Sequence, residues 1–323
     1  MLRKELLLYQ NTFLDPPTLT QEIFKNFDFE KNYYSIKIDN KDVCSGFILD
    51  KKISVYNKHY KALYLLGLST KFEFRNNGFA RKILTEIIKE KAKNNNVFLF
   101  LFPFPVKKDF YFNFGFNEFS FIPKIDIKNL KISGAKEKEN IGVLELKNLY
   151  ERLTKNQTCH QKLTLKDFKD FNKKVKAYNG KTVGFYYKDY LYAFFALDGD
   201  FIENSLVDFE FIKGKMALEE TFVSSHLFRP LNHLKFIKIF KGNFSLEKDF
   251  SISLYIKDEI LGNSKIKVVC KNKKIRIYNG FKGDNYVALS VKELTDYILF
   301  NKTDKNLPKI NKTIFDYSFF EKF

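Results

Sequence analysis

The sequence predicts an α+β protein of more than one domain, on three observations. Its 323 residues exceed one ordinary hydrophobic core. Short apolar strand patterns alternate with amphipathic helical ones, and the order changes character twice along the chain. Residues 62–116 read strand, loop, helix, strand and aromatic turn, and chemistry-bearing residues gather there.

Residues 1–12 suit a short helix or a strand. Pro16 and Pro17 stand where a first turn tolerates proline, so a helix is expected over 19–26. Alternation predicts a strand over 33–38, and an apolar run another over 43–49, joined at Asn40 and Lys41; runs at 53–56 and 60–68 continue an antiparallel meander. Ser69, Thr70 and Lys71 end it. In the next helix Phe79, Ala80, Ile83, Leu84, Ile87, Ile88 and Ala92 are spaced by threes and fours and share one stripe, with Lys82, Thr85, Glu86 and Lys89 opposite. A strand at 97–102 and the run Phe110, Tyr111, Phe112, Asn113, Phe114, Gly115, Phe116 complete this part.

The polar stretch 124–140 marks a first boundary. A helix over 143–153 follows, then a hairpin signal at Tyr178, Asn179 and Gly180. Strands are expected over 182–187 and 190–197 around Lys188 and Asp189, with a short one over 209–212. The character changes again near Thr221. Pro230 is expected to open a helix with Leu231, Leu234, Ile237 and Phe240 on one face, before strands over 251–256, 266–270 and 275–278. Ser290 with Glu293 makes a capping box for a helix ending at Phe300. The aromatic terminus, through Phe323, is expected to be docked. The expected domains are therefore 1–128, 129–220 and 221–323.

The chain holds 38 Phe and no Trp, and 56 Lys plus Arg against 38 Asp plus Glu, for a net charge of +18. A coding bias toward Phe, Lys, Asn and Ile accounts for both excesses. The charge favours acidic partners, yet the lysines run in ones and twos without a block, so no dedicated nucleic-acid site is expected. Cys44, Cys159 and Cys270 stand far apart, and His59, His160, His226 and His233 are scattered, which indicates neither a disulfide framework nor a metal site. No apolar run reaches the roughly 20 residues of a membrane span. A cytoplasmic location is the expectation.

The loop Arg75, Asn76, Asn77, Gly78, Phe79, Ala80 precedes a helix start, where four backbone N–H groups lack internal partners and the peptide dipoles favour an anion. Arg75 and Arg81 add full charges. Glu73 is expected to face solvent, since a carboxylate would repel phosphate.

A basic residue, any two, Gly, any, then Gly or Ala resembles the acetyl-coenzyme A pyrophosphate loop of the GNAT superfamily of N-acetyltransferases. The run Tyr111 to Phe116 resembles the Tyr-x-x-Phe-Gly-Phe turn after that fold's fifth strand. With Leu227, Phe228, Arg229, Pro230, Leu231 and the aromatic terminus, the three blocks resemble the enhanced intracellular survival (Eis) family. That resemblance implies a GNAT acetyltransferase domain, a second, degenerate acetyltransferase-like domain and a sterol-carrier-protein-like C-terminal domain. The chain is short for such a member, with the usual first strand and paired helices trimmed and helical material lost before Met216.

The resemblance further implies that Leu68, Ser69 and Thr70 bind the acetyl and pantetheine end through backbone groups and that Asn76, Asn77, Gly78, Phe79, Ala80 and Arg81 hold the pyrophosphate. Tyr111 would be the general acid, the carboxylate of Phe323 the general base, and the protein a homo-oligomer, as in hexameric members. The chemistry asks for such groups: a base for the ammonium, a backbone donor at Leu68 or Ser69 for the developing oxyanion, and a hydroxyl of pKa about 10 to protonate a thiolate. No metal is required. The reaction expected is transfer of acetyl from acetyl-CoA to a primary amine of a small molecule or a lysine side chain. The alternative is a non-catalytic binding protein with a vestigial coenzyme site and an apolar-ligand or partner site in its last third.

Overall fold

A computed structural model describes residues 3–94, 96–119, 121–123, 132–199, 201–208, 211, 222–224, 226–303, 305 and 307–311. Helices α1 (Leu7–Phe13), α2 (Pro17–Phe24) and α3 (Phe29–Asn32) precede strands β1 (Tyr33–Ile38), β2 (Lys41–Val55) and β3 (Lys58–Thr70). Helix α4 (Phe79–Lys93), β4 (Phe98–Leu101), α5 (Lys108–Phe112), β5 (Asn117–Glu118) and β6 (Phe121–Pro123) follow. The middle of the chain supplies β7 (Lys136–Glu139), α6 (Val143–Thr154), β8 (Cys159–Gln161), α7 (Leu165–Ala177), β9 (Lys181–Tyr187), β10 (Tyr190–Asp198) and β11 (Phe201–Val207). The last third supplies β12 (Phe222–Ser224), β13 (Leu227–Pro230), α8 (His233–Ile239), β14 (Phe250–Lys257), β15 (Ser264–Lys271), β16 (Lys274–Asn279), β17 (Val287–Ser290) and α9 (Val291–Phe300).

The principal sheet has the order β1-β2-β3-β4-β13-β5, with β8 also paired to β2. β3 and β4 are parallel, the other neighbours antiparallel. Two of its strands thus come from later blocks. β8 lies on β2 through Ile53↔Gln161, and β13 occupies the slot between β4 and β5. Pro230 is therefore the last residue of a strand, paired with Phe98, and the helix opens only at His233, capped by the Asn232 side chain on Lys235 N–H at 2.9 Å.

Other expectations change for local reasons. The runs 43–49 and 53–56 are one strand, because Lys51 and Lys52 continue the pairing with Ala62 and Lys61 while their charged ends reach water. Tyr178, Asn179 and Gly180 terminate α7 instead of turning a hairpin; Asn179 takes φ 58°, and Gly180 N–H bonds to Val175 O at 2.9 Å. The hairpin lies at Lys188 and Asp189, both at positive φ. The stretch 124–140 contains β7, which pairs with β9, while its residues 124–131 lie outside those described. The strand expected over 209–212 lies, except for Phe211, outside them too, and β11 was not foreseen. Paired helices α1 and α2 are present, short as they are.

One continuous core joins the first and third blocks. Leu6, Tyr9, Phe24 and Phe47 share it with Phe236, Leu254, Leu294 and Tyr297. Phe47 anchors the helices before β1, with ring centroids 4.6 Å from Phe24, 5.1 Å from Tyr33 and 5.5 Å from Phe27. Losing such a ring costs about 3–5 kcal/mol. The opposite face of the principal sheet packs on α4 through Leu63, Leu65, Ile83, Leu84 and Ile87. Two further four-stranded sheets, β11-β10-β9-β7 and β16-β15-β14-β17, complete the α+β architecture, with a two-stranded β12-β6.

Candidate active site

The site begins where two parallel strands part. β3 and β4 pair from Ala62↔Phe98 to Leu65↔Leu101, and Pro103 then stands after β4, so Leu66–Thr70 of β3 continue with β2 alone. A bulge sits at that point. Register shifts between Ser45 and Phe47 on β2, opposite Gly67 at φ 63°. A bulge turns backbone groups out of the ladder. Glycine is required twice over, because a Cβ there would stand 2.5 Å from the Tyr9 ring.

The anion loop lies beyond the same end of β3. Asn76 and Gly78 both take left-handed backbone, φ 65° and 75°, and Gly78 caps α4. The first helical bond runs from Lys82 N–H to Gly78 O at 3.0 Å, which leaves the amides of Phe79, Ala80 and Arg81 without helical partners. Space in front of Gly78 is open, with no atom within 4 Å of where a Cβ would be. Arg75, Asn76, Asn77 and Arg81 are exposed; Arg75 Nε donates to Thr70 O at 3.3 Å, and the Arg81 guanidinium lies 5.2 Å from the Phe114 ring centroid. Glu73 is exposed, as expected. These residues fit a diphosphate: unpaired amides, two cations and free access.

Leu68, Phe79, Ala80 and Tyr111 all pack against the α4-side core, so strand end, loop and aromatic turn converge. Ser69 is buried with its hydroxyl 3.4 Å from that of Ser45, and Thr70 donates to the Cys44 sulfur at 3.1 Å. Their side chains are thus turned to β2, leaving only backbone for a ligand. Tyr111 lies in α5 with its ring 5.9 Å from Phe116, and its hydroxyl has no hydrogen-bond partner among the described residues. Burial pushes its pKa up to about 12. Phe323 lies outside the described residues.

Sequence reasoning missed Tyr9 and Asp15. Tyr9 belongs to the core on the sheet face away from α4 and donates to Asp15 at 2.7 Å. Burial raises the Asp15 carboxyl above its ordinary value, and the Tyr9 hydrogen bond only partly offsets that. Phe13 stacks on Phe104, which follows β4, at 5.8 Å. No local motif signals these residues, because α1 meets β2 and β3 only through tertiary packing. Where the strands part, α4 and the cationic loop therefore lie on one face of the sheet, and Tyr9 with Asp15 on the other.

Residues 4–119 match the acetyltransferase (GNAT) domain family. Over this part the chain is similar to a GNAT acetyltransferase domain. Solved structures extend the likeness beyond the GNAT domain. A GCN5-related N-acetyltransferase from Anabaena variabilis is 14% identical at TM-score 0.61, over 90% of this chain and 86% of that one. A conserved protein from Enterococcus faecalis, described as a probable N-acyltransferase, is 12% identical at TM-score 0.64, over 92% and 87%. Eis1 from Mycobacterium abscessus is 9% identical at TM-score 0.64, over 93% and 87%. At such identities these are likenesses of fold, and they span the GNAT domain and the blocks behind it. No curated protein matches the sequence. Among the described residues, no helix is long and apolar enough to cross a membrane.

Proposed function

We propose that the protein transfers acetyl from acetyl-CoA to a primary amine of a small molecule or a lysine side chain by direct attack. The observation that carries this reading is the gap between β3 and β4, with unpaired α4 amides on one face and Tyr9 with Asp15 on the other. In it, Phe79, Ala80 and Arg81 hold the pyrophosphate through their amides, and Arg75 and Arg81 add charge. Backbone at Leu68–Thr70 aligns the pantetheine, and an N–H at Leu68 or Ser69 stabilises the negative charge developing on the carbonyl oxygen.

The incoming ammonium is drawn to Asp15 and walled by Phe13 and Phe104. It loses a proton to a carboxylate, for which the terminal group of Phe323 serves, and the amine nitrogen then bonds to the carbonyl carbon as the carbon–sulfur bond breaks. Tyr111, kept neutral by burial, gives its proton to the departing thiolate and is reprotonated through water by the second proton that the nitrogen sheds as it becomes an amide. The products are an amide and free coenzyme thiol. An amine panel of polyamines, aminoglycosides and lysine peptides, read by thiol release, tests the reading. Release with none of them, together with a melting temperature unmoved by acetyl-CoA, overturns it. A residue appended after Phe323 displaces the terminal carboxylate and is expected to lower kcat while leaving the coenzyme-induced thermal shift intact.

A further inference from the structure

The expectation of no dedicated nucleic-acid site rests on lysines dispersed along the chain. A strand disperses residues in sequence while gathering them in space, because its side chains alternate between faces with a period of two. Strands β14, β15 and β16 do this. Their inward residues, among them Leu254, Ile256, Ile266 and Val268, are buried in the core shared with Phe236 and Leu294 of α8 and α9. Their outward residues include Lys257, Lys265, Lys267, Lys271, Lys274 and Arg276, each exposed or half-exposed. No acidic residue stands on the outward positions of these three strands.

Register sets these side chains in rows. Ser253, Lys267 and Tyr278 lie side by side, as do Ser251, Val269 and Arg276, and Tyr255 faces Lys265. Elsewhere lysines sit beside carboxylates, with Lys147 and Lys181 each 2.7 Å from a glutamate and Lys292 2.9 Å from Asp296. None of the six cations on this face forms an ion pair among the described residues. A coding bias that raises lysine everywhere does not explain three strands whose outward positions hold cations and no acid. Aromatic rings stand among the charges: Tyr278 is 45% and Tyr286 40% exposed, and Tyr286 lies 5.2 Å from Tyr255 and 5.9 Å from Phe281.

We infer that this face binds single-stranded nucleic acid, with phosphates on the rows of cations and bases stacked on Tyr278 and Tyr286. Charge complementarity calls for a polyanion, and exposed rings suit unstacked bases. A duplex major groove admits a helix or a two-stranded ribbon, not a broader sheet face. A lipid surface calls for apolar side chains that insert, and Val269 is the aliphatic residue larger than alanine on the outward positions of β14–β16.

The test is fluorescence anisotropy of the full chain with a labelled mixed-sequence single strand, the matching duplex, and sedimentation with phosphatidylserine vesicles. Tighter binding of the single strand is expected, with log affinity falling linearly in log salt. Lys267→Gln with Lys274→Gln should shrink that slope by about 0.7 for each phosphate no longer neutralised. Tyr278→Ala should weaken binding roughly tenfold at every salt concentration without altering the slope. The charge-matched pair Lys147→Gln with Lys181→Gln should change neither. All five substitutions fall on residues outside the core clusters. The inference is overturned if the charge-matched pair weakens binding as much as the sheet pair, if Tyr278→Ala binds like the parent, or if vesicles or duplex are bound in preference to the single strand.

Discussion

Arg229 and Asp258 form a fully buried ion pair that ties the principal sheet to the last third of the chain, with Nη2 2.6 Å from Oδ2 and both side chains 1% exposed. Arg229 sits on β13, while Asp258 follows β14. Arg229 Nη1 also donates to Phe114 O in the turn that carries Tyr111, and His233 Nε2 meets Asp258 at 3.1 Å. The Asp258 carboxylate accepts further bonds from the N–H groups of Ile260 and Leu261. Both Arg229 terminal nitrogens and both Asp258 oxygens are bonded, so loss of either partner strands a buried charge.

Asp258→Asn and Arg229→Met should each lower unfolding free energy by about 3–5 kcal/mol, because the survivor is left as an uncompensated buried charge. Urea titration reads this directly, and the double variant should lose less than the sum. If either single change costs under about 1 kcal/mol, the pair does not hold the blocks together.

The same pair sets a pH dependence. Burial pushes the Asp258 carboxyl up, but the His233 bond, the Arg229 charge and the Leu261 N–H outweigh it and hold the group well below the usual carboxylate range. Its stabilising contribution is therefore complete above the unfolded-state value of about 4 and is lost as pH falls toward the lower folded value. The stability gap between parent and Asp258→Asn should narrow as pH falls below about 4. A gap that stays unchanged down to about pH 2 would contradict the assignment.

Gly67→Ala should destabilise in two separable ways. Left-handed backbone costs a side-chain-bearing residue about 1–2 kcal/mol, and the clash with the Tyr9 ring adds about 1–3 kcal/mol. Adding Tyr9→Leu should recover the second part only. Full recovery would mean that the bulge is not held in the left-handed region.

Tyr111→Phe is expected to lower kcat by about 100-fold or more while the melting temperature stays near that of the parent, since the hydroxyl bonds to no described residue. With burial pushing its pKa up to about 12, Tyr111 stays protonated throughout an ordinary assay range. An alkaline limb below about pH 10 should therefore survive unchanged wherever residual turnover is measurable. Its disappearance in the variant would assign that limb to Tyr111.

Arg81→Ala should raise KM for acetyl-CoA by about tenfold or more, the worth of a charge-assisted hydrogen bond, with kcat less affected. Isothermal titration checks it. Unchanged coenzyme affinity would move the pyrophosphate away from the start of α4.

What the residues alone determined is local. Threes-and-fours spacing placed α4, Gly78 marked its start, and Ser290 with Glu293 capped α9 through bonds of 2.6 and 3.2 Å. Each depends on interactions within a few residues, so sequence spacing suffices. Tertiary structure decided what depends on distant partners. Leu227–Pro230 looks like a helix approach in sequence, yet β4 and β5 leave unpaired backbone on facing edges, and a strand from the last third satisfies both. Gly115 in the aromatic turn likewise reads as a turn residue, whereas its φ of 73° and the Arg229 side chain packed where a Cβ would go tie it to that distant strand. Tyr9 reached the bulge, and lysines scattered along β14–β16 reached one face, only because pairing register converts separation along the chain into proximity in space.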